Sequence, residues 1–217
     1  MKKRAFAAAL LLVLCLLCAC ASDKGNKYEA YIHSLIDANY LGITEEYTVI
    51  TGASAEEAEA AYQSNIRRLA DNLKSYYGLP AEDSDALSSR FTGLAKTIYG
   101  KTRFEVSPVR EDNGVSYVDV TIYPMDILNS THDRVISFIS ELDQKVASGE
   151  FNDTVKEDYL DTLTSGIFDI LNSEAESMPY KDPVTITTRI IAGKTDYYIS
   201  DADFQAIDKA IIAATEN

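Results

Sequence analysis

The chain has 217 residues, of which 46% are hydrophobic, and its 34 acidic against 20 basic residues give a formal net charge of −14. Nucleic acid and anionic lipid surfaces repel such a domain, which argues against both as binding partners. The three cysteines, Cys15, Cys18 and Cys20, all lie near the start, so the rest of the chain has no disulfide, Cys-ligated zinc or thiol nucleophile.

The first 22 residues have the three-part organisation of a secretory leader. A basic start, Lys2 to Arg4, precedes an apolar run over Ala5 to Leu17, and the sequence Leu17-Cys18-Ala19-Cys20 follows. This tetrapeptide resembles the bacterial lipobox, in which a Leu and two small residues precede a Cys that is lipidated and becomes the new N-terminus. The resemblance implies that residues 1–19 are a signal peptide and that Cys20 carries a diacylglyceryl group.

The alternative interpretation of the leader is an uncleaved transmembrane anchor. Its apolar core, Ala5 to Ala19, is shorter than the roughly 20 residues that span a bilayer, and no stop-transfer pattern follows. Cys18 departs from the usual lipobox, where Ala, Ser or Thr is more frequent at this position. We therefore predict a protein held by its lipid at the extracytoplasmic face of the cell membrane.

The predicted mature chain is more acidic than the whole and is closely tethered. Without Lys2, Lys3 and Arg4, 17 basic residues remain against 34 acidic ones, a net charge of −17. The lipid, and not electrostatic attraction, must then hold the protein at the membrane. Residues 20–27 form the lipidated Cys and a short tether, of which the seven residues after Cys20 reach about 23 Å when extended.

Helical periodicity dominates the chain from position 27 to about 100. It predicts a helix over Lys27–Leu41 that ends at Gly42, and an ambiguous segment, Ile43–Gly52, that could form a short helical turn. Ser54 with Glu57 is a capping box for a long helix over about 55–77.

A third helix, capped by Asp83 or Ser84, is predicted to end before Gly100.

The period then changes from 3.6 to 2, which indicates strands. Strands over Arg103–Val109 and Val115–Tyr123 are predicted to flank a hairpin turn at Arg110–Gly114. In the second strand Val118, Val120 and Ile122 share an apolar face. The opposite, polar face carries Tyr117, Asp119, Thr121 and Tyr123.

The same order of elements follows a second time. Helices are predicted over Thr131–Ser148 and from Asp153 to about Glu176, and strands over Val184–Ile191 and Thr195–Ser200. Ser200 with Asp203 caps a last helix.

Together these elements predict an α+β fold with helices packed on one face of an antiparallel sheet of about four strands. The order helix-helix-strand-strand occurs at about 54–123 and again at about 132–200, which is either an internal duplication or a chance recurrence. No Gly/Ser-rich or Pro-rich linker separates the halves, so residues 28–217 are predicted to form a single domain.

Candidate catalytic and metal-binding residues are few. His33 and His132 are distant in sequence, and no context selects a serine nucleophile, so both are interpreted as solvated surface histidines. The acidic pairs Asp83-x-Asp85, Asp201-x-Asp203 and Glu56-Glu57 fall at predicted helix starts, where carboxylates cap free N–H groups. We therefore predict no metal site and no cofactor.

Tyrosine is the residue type most suggestive of binding, since it occurs 14 times while Trp is absent. Tyr117 and Tyr123 fall on the polar face of their strand, where exposed rings could stack on sugars or anchor a protein partner. The alternative is that both are ordinary strand tyrosines, with an apolar ring and a solvated hydroxyl group.

The leader, the acidic body and the helix-plus-hairpin order resemble uncharacterised lipoproteins of low-GC Gram-positive bacteria, some of which have cystatin-like or nuclear-transport-factor-like domains. A well-patterned core without a catalytic motif favours a non-catalytic binding module for an envelope protein or a glycan. An envelope hydrolase that uses carboxylates is the alternative. A transporter-associated capture protein fits less well, because such proteins usually have two lobes with parallel sheets.

Overall fold

The computed structural model describes residues 26–79, 85–150, 156–193 and 197–214. The predicted signal peptide, Cys20 and most of the predicted tether therefore lie outside the described residues. Helix α1 covers residues 26–36 and continues as a π-helical turn over Asp37–Leu41. As predicted, the helix ends at Gly42, which has a φ of 71° and so adopts the left-handed conformation that glycine favours.

Three further helices precede the sheet: α2 (Glu45–Thr51), α3 (Ala55–Tyr76) and α4 (Asp85–Tyr99). The ambiguous segment after Gly42 is thus helical. The capping box is confirmed, because the Glu57 N–H donates to the Ser54 Oγ at 3.1 Å and the Ser54 N–H donates to the Glu57 carboxylate at 2.9 Å. The predicted caps of α4, Asp83 and Ser84, lie outside the described residues.

The first hairpin differs in detail from the prediction. It comprises β1 (Arg103–Val106), β2 (Arg110–Asp112) and β3 (Val115–Tyr123), so a break replaces the end of the predicted first strand. Pro108 lies in this break and has no N–H to donate to a ladder.

The turn of this hairpin is also shorter than predicted. Asn113 and Gly114 have φ values of 50° and 78°, which form a two-residue turn that matches the twist of the flanking strands.

The second half adds α5 (Ile127–Ala147), α6 (Lys156–Glu176), β4 (Val184–Ala192), β5 (Tyr197–Tyr198) and α7 (Asp201–Ile211). Helix α5 begins one turn before the predicted Thr131, whose hydroxyl instead donates to the Ile127 carbonyl inside the helix at 2.6 Å. The Ser200 cap of α7 is confirmed at 3.1 Å. The predicted start of α6 at Asp153 and the middle of the last hairpin lie outside the described residues.

The strands form one antiparallel sheet in the order β1-β3-β4-β5, with β2 also paired to β3. Val118, Val120 and Ile122 of β3 are fully buried, as the alternation predicts. The helices cover this inner face: Tyr28 and Tyr31 of α1 pack edge-on against the Tyr197 ring at 5.1 and 5.3 Å between centroids. The predicted α+β class, with helices over the apolar face, is confirmed.

Helices α5 and α6 pack closely at Gly166, where a Cβ would overlap the Phe138 ring. A Cβ at Gly93 of α4 would meet no atom within 4 Å. We expect Gly93→Ala to raise the free energy of unfolding by about 0.5–1 kcal/mol through helix propensity. Gly166→Ala should lower it by about 1 kcal/mol, since overpacking outweighs the same gain in propensity.

Urea denaturation of both variants beside the unchanged protein measures this difference. Equal stabilisation by the two substitutions would contradict the close packing of α5 on α6.

Candidate functional site

The outer face of the sheet, which points away from the helices, carries the tyrosines predicted from the sequence. Tyr117, Asp119, Thr121 and Tyr123 of β3 are half-buried there, whereas the alternate residues of the same strand are buried. The paired strands add exposed polar side chains to this face, namely Arg103, Glu105, Arg110, Thr185, Thr187 and Arg189. We call this surface the outer sheet face.

A small hydrogen-bond network stabilises one end of the outer sheet face. The Asp119 carboxylate accepts from the Thr187 hydroxyl at 2.5 Å and from the Arg110 guanidinium at 3.3 Å. These two hydrogen bonds hold the pKa of Asp119 below its usual value. The same guanidinium lies 5.0 Å from the centroid of the Tyr117 ring, within the range of a cation–π contact.

Tyr123 lies in a different environment at the other end of the same face. Its hydroxyl donates to the Glu105 carboxylate at 2.8 Å, and this hydrogen bond with the Glu105 charge raises the pKa of Tyr123. The cross-strand neighbour of Tyr123, Arg103, lies over the Tyr180 ring at 4.3 Å from its centroid. Six positions along one strand separate Tyr123 from Tyr117, or about 20 Å, so an extended ligand is needed to touch both.

A second polar cluster, which the sequence did not reveal, joins three helical elements. Arg68 of α3 donates to both carboxylate oxygens of Asp208 in α7, at 2.6 and 2.7 Å. The hydroxyl of Tyr40, in the π-helical turn after α1, donates to the same carboxylate at 2.9 Å. The 140 positions between Arg68 and Asp208 explain why no local spacing indicated the pair.

The surroundings of Asp208 keep it ionised. Burial alone would raise the pKa of this carboxyl, but hydrogen bonds from Arg68 and Tyr40 with the Arg68 charge outweigh burial and lower it. Burial, followed by the Asp208 charge, raises the pKa of Tyr40, and the same two causes raise that of Tyr99 to about 12. At neutral pH the cluster is therefore a charged carboxylate paired with a guanidinium beside neutral phenols.

A cleft of about 300 Å³ opens beside this cluster. Its lining residues combine an apolar floor with a polar rim, and they are Arg68, Leu69, Asn72, Leu73, Tyr76, Tyr99, Leu128, Asp208, Lys209 and Ile212. Asp208 is the one carboxylate among the described residues of this lining, and the Arg68 guanidinium already engages both of its oxygens. The cleft therefore lacks the second acidic group that paired-carboxylate hydrolysis requires.

Neither histidine belongs to the outer sheet face or to the cleft beside Arg68 and Asp208. His33 is exposed, as predicted, but its Nδ1 lies 2.9 Å from the Asp37 carboxylate. Its ring also packs against the Phe104 ring, with 4.9 Å between the centroids. His132 is exposed on α5. Within the described segments, no group of three or more His, Cys, Asp or Glu side chains is placed to hold a metal ion.

Among the acidic helix starts, Glu57 completes a cap as predicted, whereas the Asp203 carboxylate accepts the Arg189 N–H of strand β4 at 3.3 Å. The side chain of Asp85 and all of Asp83 lie outside the described residues.

Comparison with known proteins finds a similar fold but no similar sequence family. No family model and no curated protein sequence matches the chain. Its structure is similar to the crystal structure of YcdA, a candidate lipoprotein from Bacillus subtilis subsp. subtilis str. 168, with a TM-score of 0.61 and 16% sequence identity. The match covers 89% of this chain but 58% of YcdA, so the chain spans little more than half the length of that protein.

The likeness to YcdA shows a shared α+β fold. Across the part of the chain that the structure describes, no helix is both long and apolar enough to cross a lipid bilayer.

The Arg68–Asp208 pair yields a stability prediction with a defined pH dependence. We expect Asp208→Asn to lower the free energy of unfolding at pH 7 by about 2 kcal/mol, because charge-assisted hydrogen bonds from Arg68 and Tyr40 are lost. A lowered pKa stabilises the fold above the unfolded-state value and loses this effect as the pH falls through the folded-state value. The deficit of the variant should therefore shrink as the pH falls towards 3.

Urea denaturation at several pH values, with Arg68→Ala and the double variant as controls, measures the coupling between the two residues. Additive losses from the single variants, or a deficit that does not vary with pH, would contradict the pairing.

Proposed function

We propose that this protein is a lipid-anchored, extracytoplasmic binding module and that the outer sheet face is its ligand-binding surface. The lipobox-like sequence that ends at Cys20 supports the anchor, and the fold shared with a candidate lipoprotein is consistent with it. The observation that carries the binding role is the outer sheet face itself, which the helices leave uncovered and which presents tyrosine and arginine side chains.

The layout of the outer sheet face favours an extended ligand. Aromatic rings at each end, separated by about 20 Å along one strand, can stack on successive units of a glycan or hold an extended protein segment. Among the residues that define this face, Arg103, Arg110 and Arg189 stand beside Glu105 and Asp119, so it has one more basic than acidic group on a chain whose net charge is −14. A ligand with hydroxyl or acidic groups, such as an envelope glycan or an acidic protein segment, matches these side chains best.

The start of helix α1 relates the outer sheet face to the membrane in this proposal. Residue 26 is already helical, so the chain between Cys20 and α1 reaches no more than about 20 Å. The Glu29 carboxylate near this end of α1 accepts the Val109 N–H at 3.0 Å, so the start of β2 lies beside the start of α1. Tyr117 would then lie nearer to the membrane than Tyr123.

The anchor is tested by substitution at the two neighbouring cysteines. We expect Cys20→Ala to move the protein from the membrane fraction to the soluble fraction of cells, because the acidic body has no attraction of its own to anionic lipid. Cys18→Ala is the matched control and should leave the protein in the membrane, since Ala is a usual residue at that lipobox position. A Cys20→Ala protein that stays in the membrane pellet would refute the anchor.

The binding surface is tested on glycan and envelope-protein arrays with the purified protein. For a ligand found this way, Tyr117→Ala and Tyr123→Ala should each weaken binding by about tenfold or more, as loss of an aromatic anchor does. Tyr76→Ala removes an exposed tyrosine from helix α3 instead and should leave the affinity unchanged.

Equal binding by all three tyrosine variants would contradict the proposed surface. Hydrolysis of an array component by the unchanged protein, without stable binding, would favour the hydrolase alternative.

A further inference from the structure

Strand β4 has a free edge along its first half. On one side it pairs with β3 from Val184 to Ile190, but on the other side β5 pairs only with Ile191 and Ala192. Residues 184–188 therefore have a strand on one side alone within the described parts of the chain. Five strand residues expose about 17 Å of edge, which is enough to pair with a short extended segment.

The hydrogen bonds of β3 show which residues of β4 direct their N–H and carbonyl groups towards the free edge. The Ser107 N–H donates to the Asp119 carbonyl at 2.9 Å, and the Asp119 N–H donates to the Ser107 Oγ at 3.0 Å. The backbone of Asp119 thus faces away from β4, and its partner Thr187 must face away from β3. Thr185, two positions earlier, has the same orientation, so both threonines present an N–H and a carbonyl at the free edge.

Arg189, which has the same backbone orientation as Thr185 and Thr187, supports this assignment. The Arg189 N–H is accepted by the Asp203 carboxylate of α7 at 3.3 Å, on the side of β4 away from β3. Helix α7 therefore caps the edge at Arg189 and leaves Thr185 and Thr187 uncapped among the described residues.

The opposite edge of the sheet is protected, which makes the β4 edge distinctive. Pro108 lies in the break between β1 and β2, and the Val109 N–H is accepted by the Glu29 carboxylate at 3.0 Å. Short strands, proline and occupied donors are the usual means by which proteins prevent unwanted strand addition.

An apolar cleft of about 460 Å³ lies directly beside the free edge, between β4 and α7. Val184, which is 45% exposed, and Ile186 form its sheet side, and Ala206 and Ala210 form its helix side. Val184 and Ile186 are paired with Ile122 and Val120, so they share the inner face of the sheet. In a strand added to β4, alternate side chains would lie on this inner face at the mouth of the cleft.

Charge indicates which kind of occupant fits. Lys181 and Lys209 line the cleft together with Asp182, and Lys181 also contacts Asp126 at 3.5 Å. Because Asp126 already engages Lys181, Lys209 is the lysine of this cleft that no described carboxylate engages, and on a chain of net charge −14 it favours a short segment that carries a carboxylate. A second copy of the chain would bring the same net charge of −14 and be repelled as a whole.

We propose that the free edge of β4 binds an extended, acidic segment of a partner protein as an added strand. Thr185 and Thr187 supply the backbone hydrogen bonds, the cleft between β4 and α7 takes alternate apolar side chains, and Lys209 attracts a carboxylate of the segment. The proposal is independent of the lipid anchor and of the outer sheet face.

The first test is amide hydrogen exchange of the purified full-length protein, resolved by residue. In the free protein the amides of Thr185 and Thr187 should exchange much faster than those of Ile186 and Thr188, which face β3. Equal protection of all four amides would show that the edge is already occupied and would overturn the proposal.

The second test uses a displayed library of short linear peptides as the probe. Selected peptides should carry apolar residues at alternate positions with an acidic residue near one end, and binding should protect the Thr185 and Thr187 amides. Thr185→Pro removes one edge N–H and should weaken binding about tenfold, whereas Thr185→Val keeps the N–H and should not. Lys209→Glu should also weaken binding by about tenfold.

Methylation of alternate backbone nitrogens of a selected peptide provides a readout that does not depend on a variant folding. Methylation of the peptide nitrogens whose N–H groups face β4 should abolish binding to the unchanged protein. Methylation of the alternate nitrogens, whose N–H groups face away from β4, should not. No selected peptide, equal binding by Thr185→Pro and Thr185→Val, or indifference to methylation would each overturn the proposal. A dimer of the protein that Thr185→Pro dissociates would replace the partner segment with a second copy.

Discussion

Helix α1 is buried against the inner face of the sheet, and this packing links the core residues of the sheet to those of the other helices. Ile32 and Ile36 of α1 and Tyr40 of the following turn have no exposed surface, and they belong to one core with β3, α3 and α7. Because no cysteine lies in the described chain, packing must supply the stability that disulfides give many exported domains. The aromatic contacts of Tyr28 and Tyr31 with Tyr197 extend this packing to the last strand.

A sheet covered on one face has two exposed surfaces with different chemistry. The outer face offers side chains, and here these are tyrosines, arginines and threonines that hydrogen-bond across strands. The free edge offers backbone groups, and β5 is too short to cover them along β4. The outer sheet face is thus available because the described helices pack on the inner side, and the proposed edge is available because β5 pairs with β4 at two described residues.

Electrostatics distinguishes these surfaces from the rest of the domain. With 34 acidic residues, most of the surface repels acidic partners, so the arginines on the outer sheet face and Lys209 at the cleft become local exceptions. The pair of Arg68 and Asp208 has a different role, because the two charges engage each other and the Tyr40 hydroxyl also donates to the carboxylate. That pair joins α3 and α7 around the turn that follows α1.

Features that depend on neighbouring residues could be predicted from the amino-acid sequence. Periodicity located the helices and the long strands, the Ser54 and Ser200 caps formed as predicted, and alternation along β3 placed Tyr117 and Tyr123 on the polar face. These succeed because hydrogen bonds and amphipathic faces repeat over a few residues. The break at Pro108 and the shorter turn were local as well, but they depend on how β2 pairs with β3.

Tertiary structure alone decided the features that join distant parts of the chain. The pairing of Arg68 with Asp208 spans 140 positions, and nothing near either residue indicates the other. Among the described residues, β5 pairs with two residues of β4 and α7 caps Arg189, which leaves the β4 edge free and which no periodicity records. Partner choice in a packed core is set by the whole arrangement of elements, and a linear pattern reports only which side of each element faces inward.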